Sequence, residues 1–568
     1  MDESEMVVLK FGSSVLRDPA GLPDVADEIY RHLRVGKRVL SVVSAFEGHT
    51  DRLLREASAV FGEEAPEATA TYIATGELQS AAMLTGALLR DGICARTIDP
   101  REVHLRIDGD SDLLNAKLVS VDRSQIFKWF KDSSVLVLPG FFGIGDDGRI
   151  GLLGRGGSDY TALFLAQRLH SSCRLLKDVA GVYNLDPATA GREVQRFATV
   201  GWDVAADITG RLIQPKAMRL AQSERIAFAV GALSEDRDTK VGEYSVSFAN
   251  PHIVAPPMKI ALLGLGIVGG GVCARLMAQP DRFDLQCVVV KHRERYSRVV
   301  PEKLLSTDAW DAVRGGAEVV VECMGGLSPC FDVVLGALKA GQIVISSNTA
   351  MMARYSNELD RYMNTKPPRL RFSAAVGGAL PILELLARHV GQVRIIRAVI
   401  NEPYNPRSGC PISHAYACDV IGLMAIVGFN TILTEGSIAV EGVDGRAYGA
   451  DARLVTTIAR NCGTLRANLS VQKLDYRDFL AGADASHDRM EMELDDGRVL
   501  RLRGRGFGRW PTVISVCGDM LQVWREYCGQ EYSHGASNGR QEPSAPRSLG
   551  DMHDAHLRSR DADRSLLN

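Results

Sequence analysis

The sequence predicts an α/β fold in which mainly parallel sheets are covered by helices. Two observations carry the prediction. Short apolar runs ended by Gly, Ser or Pro alternate with amphipathic helical stretches through most of the 568 residues. Two glycine-rich segments, Gly154 to Asp159 and Gly264 to Gly269, have the composition of phosphate- or nucleotide-binding turns, the second directly after an apolar run.

Taken in order, Val7 to Phe11, Arg38 to Val43 and Ser134 to Leu138 read as strands, with helical patterns at Asp24–Arg34 and Glu77–Leu89 between them. Gly76-Glu77 reads as the opening of the second helix. Leu175 to Lys177 is another strand, followed by a tight turn through Asp178, Gly181, Tyr183 and Asp186. Pro251, Pro256 and Pro257 mark a linker, so a first domain is expected over 1–250. A fresh strand-helix-strand unit opens at 257 and runs to 368, and an α+β block follows over 369–528. From Gly529 to 568 the chain is polar with mixed charge, and it is expected to be disordered.

Composition excludes several classes. An apolar fraction of 46% and a charged fraction of 24% are those of a globular domain protein. A net charge of -3 gives no reason to expect nucleic acid or an anionic membrane as partner. The acidic start, Asp2 to Glu5, is unlike a secretion signal, and no apolar run approaches the roughly 20 residues that span a bilayer. The eleven scattered cysteines, none in a CxxC pair, suit a reducing cytosol better than a disulfide framework or a zinc site. A cytoplasmic homo-oligomer with small-molecule substrates and no structural metal is expected.

In the first half, Lys10-Phe11-Gly12-Ser13-Ser14 follows a strand and suits a phosphate-binding turn, backbone N–H groups and an ammonium facing oxygens. With Ser44-Ala45, Thr50, Gly76-Glu77, Arg155-Gly156-Gly157-Ser158-Asp159 and the Lys177–Asp186 turn, residues 6 to 245 resemble the aspartate kinases of the amino-acid kinase superfamily. The resemblance implies that Lys10 bridges the transferred phosphoryl group, with Arg155 and Asp159 also catalytic. Ser44, Thr50, Glu77 and Ser158 would help to hold aspartate, Arg155 pairing its carboxylate and Glu77 receiving its ammonium. Gly12, Ser13, Lys177, Asp178, Tyr183, Asp186 and Arg211 would border MgATP, with Lys216 an alternative to Arg211. Ser13 and Ser14 depart from the family's Gly-Thr, Lys177 from a threonine and Arg211 from a lysine.

In the second half, Gly264-Leu265-Gly266-Ile267-Val268-Gly269 lies between a strand and a helix, the Rossmann context that its spacing requires. A pyrophosphate would lie on the helix N-terminus. The next strand leads into the basic cluster Lys291-His292-Arg293-Glu294-Arg295, with no carboxylate at the strand end itself for a ribose 2′-hydroxyl, which favours NADP(H). The segments around Gly325, Asn348 and Phe372 to Pro381, with Gly504 to Thr512 and its Gly508, resemble homoserine dehydrogenases from Lys259 to Tyr527. The order of the halves is that of bifunctional aspartokinase–homoserine dehydrogenases, without room between Met218 and Lys259 for their paired regulatory ACT domains.

The catalytic stretch departs from the pattern. Thr349 stands where the family has a lysine, and Glu402-Pro403 follow Asn401. If Asp419 marks the start of the family's catalytic helix, Met424 and Gly428 replace its aspartate and lysine. Lys473 and His414 are the possible substitutes. The resemblance implies aspartate phosphorylation and NADPH-dependent interconversion of aspartate semialdehyde and homoserine. The alternatives are an active kinase with a degenerate dehydrogenase half, or an NADP-binding pseudoenzyme.

Overall fold

The computed structural model describes residues 6–538 apart from 63, 109–111, 188–193, 209–211, 251–254, 401–413, 434–436, 442–451, 462–463 and 484–486. Side chains are described to 528, except at 414. Two compact units divide the chain, one of residues 1–252 and 256–525, the other of 253–255 and 526–568. The description below concerns the first. Among the described residues no helix is long and apolar enough to cross a membrane.

The main sheet of the first half has nine strands: β1 (Met6–Phe11), β2 (Arg38–Val43), β3 (Ala95–Thr97), β4 (Val135–Pro139), β5 (Ser172–Lys177), β6 (Phe197–Gly201), β7 (Phe228–Ala232), β8 (Thr239–Gly242) and β9 (Ser247–Phe248). Their order in the sheet is β9-β6-β8-β7-β5-β1-β2-β4-β3. The central pairs are parallel, with Lys10 opposite Val42 on β2 and Leu175 on β5. Strands covered on both faces are apolar along nearly their whole length, and β1 is buried at all six positions, with Lys10 its one charged residue. Between Met218 and Lys259 the chain forms β7, β8 and β9 of this same sheet. Among the described residues no further domain stands there.

Helices α1 (Leu22–Arg34), α2 (His49–Phe61), α3 (Pro66–Arg90), α4 (Arg123–Trp129), α5 (Gly157–Arg168), α6 (Trp202–Ile208) and α7 (Pro215–Ser223) accompany the sheet. Helix α3 corrects the reading of Gly76-Glu77 as a helix start, because both lie in its middle. The glycine is there for closeness. A Cβ on it would stand 3.0 Å from Leu53 Cδ1 and 3.3 Å from Ala45 Cβ, so α3 can press against α2 and the end of β2.

The second block holds β10 (Met258–Leu263), α8 (Ile267–Ala278), β11 (Phe283–Val289), β12 (Leu305–Ser306), α9 (Asp311–Arg314), β13 (Val319–Glu322), α10 (Cys330–Lys339), β14 (Ile343–Ser346), α11 (Thr349–Arg354), α12 (Ser356–Met363) and β15 (Leu370–Arg371). The all-parallel order β12-β11-β10-β13-β14-β15 reverses direction beside β10, the switch point at which such sheets bind ligands. Strand β15 lies past 368, so the sheet is longer than the expected domain limit.

The third block has α13 (Ile382–Arg388), β16 (Val393–Val399), α14 (His414–Phe429), β17 (Ile438–Glu441), β18 (Ala452–Asn461), β19 (Thr464–Lys473), β20 (Asp488–Leu494), β21 (Val499–Gly504) and α15 (Arg509–Asn538). Its sheet, β17-β19-β18-β16-β20-β21, is antiparallel except at β17–β19. Two findings correct the expected divisions. Val513, Val516, Met520 and Leu521 of α15 complete the core over β10 and α8, so the second block takes part of its core from the chain's far end. The backbone of α15 also continues to Asn538, into the segment expected to lack order, while residues 539–568 lie outside the described residues.

The blocks meet through buried charge. Arg34 on α1 pairs with Glu384 on α13 at 2.7 Å and with Asp519 on α15. Arg275 on α8 reaches Asp27 on α1 at 3.4 Å and Asp91 at 3.7 Å. Arg505 N donates to Gly92 O at 2.9 Å, joining the backbones.

Candidate active sites

The first site forms at the carboxyl ends of β1, β2 and β5, where the glycine-rich turn before α5 crosses them. Lys10 leaves the end of β1, and its Nζ lies 2.7 Å from Asp159 Oδ1. Lys177 ends β5 and places Nζ 2.9 Å from Asp159 Oδ2. All three side chains are buried. Burial works against the Asp159 charge, but the two ammonium groups prevail and hold its pKa at about 2. Burial also lowers the Lys10 pKa, with Asp159 opposing it and the like charge of Lys177 adding to it.

Ser44, just past β2, shares a 2.7 Å hydrogen bond with Ser158. Glu77 comes in from the middle of α3. Burial raises its pKa to about 8 against the pull of the Ala45 backbone and Lys10, and its Oε2 is buried with no hydrogen bond among the described residues. A buried acid in that state is ready to ionise when a cation arrives.

The structure thus brings Lys10, Ser44, Glu77, Ser158, Asp159 and Lys177 to one place. Gly12 belongs with them, since a Cβ there would stand 2.9 Å from Lys10 Nζ. Lys177, expected to border the nucleotide, ends β5 with its ammonium on Asp159. Arg155 is exposed one residue before the helix N-cap and makes no pair with the buried Asp159. Thr50 is half-buried in the first turn of α2. Ser13, Asp178 and Asp186 are exposed, and Tyr183 bridges to Arg196. Arg211 lies outside the described residues. Its alternative, Lys216, is tied to Asn115 Oδ1 (2.8 Å) and to the carbonyls of Ala116 (2.7 Å) and Leu153 (2.6 Å), which makes it a clamp on the loop ahead of α5.

The second site opens where β10 ends. Gly264 has φ +92°, and a Cβ on it would stand 2.8 Å from Cys323 O, so only glycine permits the turn. Gly266 caps α8, Ile267 is 74% exposed and Val268 packs inward. Gly269 lies against the Gly264 carbonyl, in contact too close for any side chain. Space beside Gly266 and Gly325 is open, which with the free N–H groups of α8 suits a pyrophosphate. Lys291 and Arg293 are exposed past β11, and Arg293 also donates to Glu302 O at 3.1 Å. Asn348 caps α11 through Met351 N (3.1 Å) and donates to Gly326 O (2.7 Å). Gly508 accepts from Thr512 N and starts α15.

Sequence reasoning passed over Glu322 as a role-bearing residue. Fully buried at the end of β13, it accepts from Met324 N (2.8 Å), Gly325 N (3.2 Å) and Ser346 Oγ (2.6 Å), and so fixes the Gly325 loop. A lone acid closing an apolar strand before two glycines was the available signal.

The reduction chemistry is less concentrated. Thr349 Oγ1 donates to Ala375 O at 2.7 Å. Met424 is fully buried in the apolar core and Gly428 packs on Leu386, so this face of α14 is structural. Lys473 is exposed at the end of β19. Asn401 to Pro403 and the His414 side chain lie outside the described residues.

Residues 5–230 match the amino acid kinase family, and residues 264–372 match the NAD-binding domain of homoserine dehydrogenase. The aspartate kinase of Pseudomonas putida is 29% identical over 228 residues, 40% of this chain and 55% of that protein. The aspartokinase of Helicobacter pylori 26695 is 31% identical over 199 residues, 35% and 48%. The chain spans about half the length of the curated relatives it matches. Among solved structures, a Thiobacillus denitrificans homoserine dehydrogenase is 20% identical, with 50% of this chain and 76% of that one covered and a TM-score of 0.43. Escherichia coli aspartokinase III in complex with aspartate and ADP is 24% identical, with 42% and 65% covered and a TM-score of 0.38.

Proposed function

We propose, from an amino acid kinase domain followed by a homoserine dehydrogenase NAD-binding domain, that one chain carries two enzymes of the aspartate pathway. The first half phosphorylates the side-chain carboxylate of L-aspartate with MgATP. The second interconverts aspartate semialdehyde and homoserine with NADP(H). The steps are not consecutive, because a separate reductive enzyme must convert the acyl phosphate to the aldehyde.

The observation that carries this reading is the buried Lys10–Asp159–Lys177 triangle beside Ser44, Ser158 and Glu77. Phosphoryl transfer asks a protein mainly to position the reactants and to offset charge on the migrating group. Asp159 holds two ammonium groups at one point, close to where the γ-phosphoryl would pass. Glu77, neutral until substrate binds, gives up its proton to meet the substrate ammonium. Arg155, exposed at the mouth, takes the α-carboxylate as a planar fork.

In the second half, the N–H groups behind Gly264, Gly266 and Gly269 and the loop at Gly325 would hold the pyrophosphate. Lys291 and Arg293 would take a 2′-phosphate, and Asn348 and Gly508 would border the nicotinamide. NADPH supplies the two electrons of aldehyde reduction. The chain's own part is to orient the dinucleotide, with Glu322 locking the loop. Nine free cysteines among the described residues support a reducing cytoplasm. The exposed Val440 and Val499 on edge strands β17 and β21 support a homo-oligomer.

Aspartyl hydroxamate formation with ATP tests the kinase half. The full chain is expected to form it, and Lys10→Ala and Arg155→Ala to lose about 100-fold or more of the rate. A wild-type chain that forms none, or variants that keep the rate, would overturn the assignment.

A further inference from the structure

A cleft of about 960 Å³ lies between the two halves, apart from both sites. The first half contributes the ends of α1 and α3 and the turn between α4 and β4. The third block contributes α13, the segment around Phe479, and β21. Eight lysine and arginine side chains line the cleft against a single carboxylate, Asp132. Like charges at such density repel one another, the more so where low-dielectric walls confine their field.

The partners that exist leave capacity over. Arg501 donates to Glu491 at 2.8 Å, Arg498 to Asp496 at 2.7 Å, and Arg503 to Asp132 O at 3.1 Å. Arg503 Nε is buried with no hydrogen bond among the described residues. Among the described residues Lys37, Lys131 and Arg388 form no ion pair. Arg38 lies over the Phe130 ring at 5.9 Å and Arg501 over Phe479 at 5.2 Å, so aromatic faces hold the guanidinium planes in place.

The cleft is at the opposite end of the sheet from the first site. Lys37 and Arg38 precede or open β2, whereas Ser44 follows its end. Six residues at about 3.3 Å each separate the two by about 20 Å. At the other wall, β21 runs from the cleft into Gly504 and on to Gly508.

We propose that this cleft binds a small polyphosphorylated anion, held jointly by Lys37 and Lys131 from the first half and by Arg388, Arg501 and Arg503 from the third block. The volume is that of a site for a nucleotide-sized molecule. Guanidinium forks match phosphate oxygens in pairs, and the eight cations exceed the carboxylates of Asp132, Glu491 and Asp496, an excess that calls for several negative charges. This site stands independently of the two activities proposed above.

Calorimetric titration of the full chain with inorganic pyrophosphate tests it. Binding is expected to weaken as salt rises, and to weaken about tenfold or more in the exposed pair Lys131→Glu/Arg388→Glu, with a smaller loss in Lys131→Gln/Arg388→Gln. In the Lys10→Ala/Gly264→Asp double variant, which disables both nucleotide sites, this binding event should remain. Absence of binding by wild type, equal affinity in both pair variants, or loss of the event in the double variant would each overturn the proposal. In the Lys10→Ala background, a non-hydrolysable nucleoside triphosphate that binds more tightly than pyrophosphate would identify a nucleotide as occupant. Equal binding would identify recognition of phosphates alone.

Discussion

Asp159 is the residue on which the first site turns, because it pairs with two buried ammonium groups. Asp159→Asn leaves Lys10 and Lys177 facing each other without a counter-charge. Breaking a buried pair of this kind costs about 3–5 kcal/mol. A lower melting temperature and loss of hydroxamate formation are expected together, and a variant that keeps both would contradict the account. Glu77 sets the pH behaviour. Its folded pKa of about 8 is above its ordinary 4.5, so its contribution to stability is full below 4.5 and is lost as pH rises through about 8. Melting curves of Glu77→Gln should lack that decline between pH 5 and 8. Aspartate binding at pH 7 should release a proton, seen as a dependence of the calorimetric heat on the buffer, and Glu77→Gln should abolish it. Asp159 has the opposite sign: its stabilisation is present above 3.8 and is lost as pH falls toward 2. Lys10 and Asp159 were legible in the sequence because each lies in a dense local motif. The commitment of Lys177 to Asp159 was not, since it depends on β5 pairing beside β1 across more than 150 residues.

At the scale of elements, the turn from β10 to α8 makes the clearest prediction. Gly264→Ala forces a side chain into a left-handed backbone 2.8 Å from the Cys323 carbonyl oxygen, and NADPH binding should weaken by about tenfold or more. Gly270→Ala, on the same helix with nothing within 4 Å of the new carbon, should bind NADPH unchanged and gain up to about 1 kcal/mol of stability. Fluorescence titration of NADPH separates the two, and equal behaviour would contradict the packing described. The sequence showed this turn because spacing, strand and helix coincide within 20 residues. It misplaced the start of α3, because a glycine inside a helix looks like a boundary until Leu53 and Ala45 show what it accommodates. It could not show that α15 closes the core over β10, because an amphipathic pattern records that a face is buried and not against what.

Across the whole molecule, the buried pairs of Arg34 and Arg275 join α1 to α13, α15 and α8. The two halves should therefore unfold together in one calorimetric transition. Arg34→Ala strands Glu384 and Asp519, should cost about 3–5 kcal/mol, and should split the transition in two. A second transition in the wild type, or an unsplit one in the variant, would oppose this. Division of the chain into kinase and dehydrogenase blocks was readable from motif order, whereas the direct docking of the blocks was not, because its charges are scattered from 27 to 519. The central claim is that both nucleotide sites serve working enzymes, and the dehydrogenase half is where it is most exposed, with Met424 and Gly428 in the core. Oxidation of NADPH by the full chain in the presence of aspartate semialdehyde tests it most directly. The account predicts absorbance loss at 340 nm, on the order of tenfold or more above a Gly264→Asp control. A rate equal to that control would contradict it.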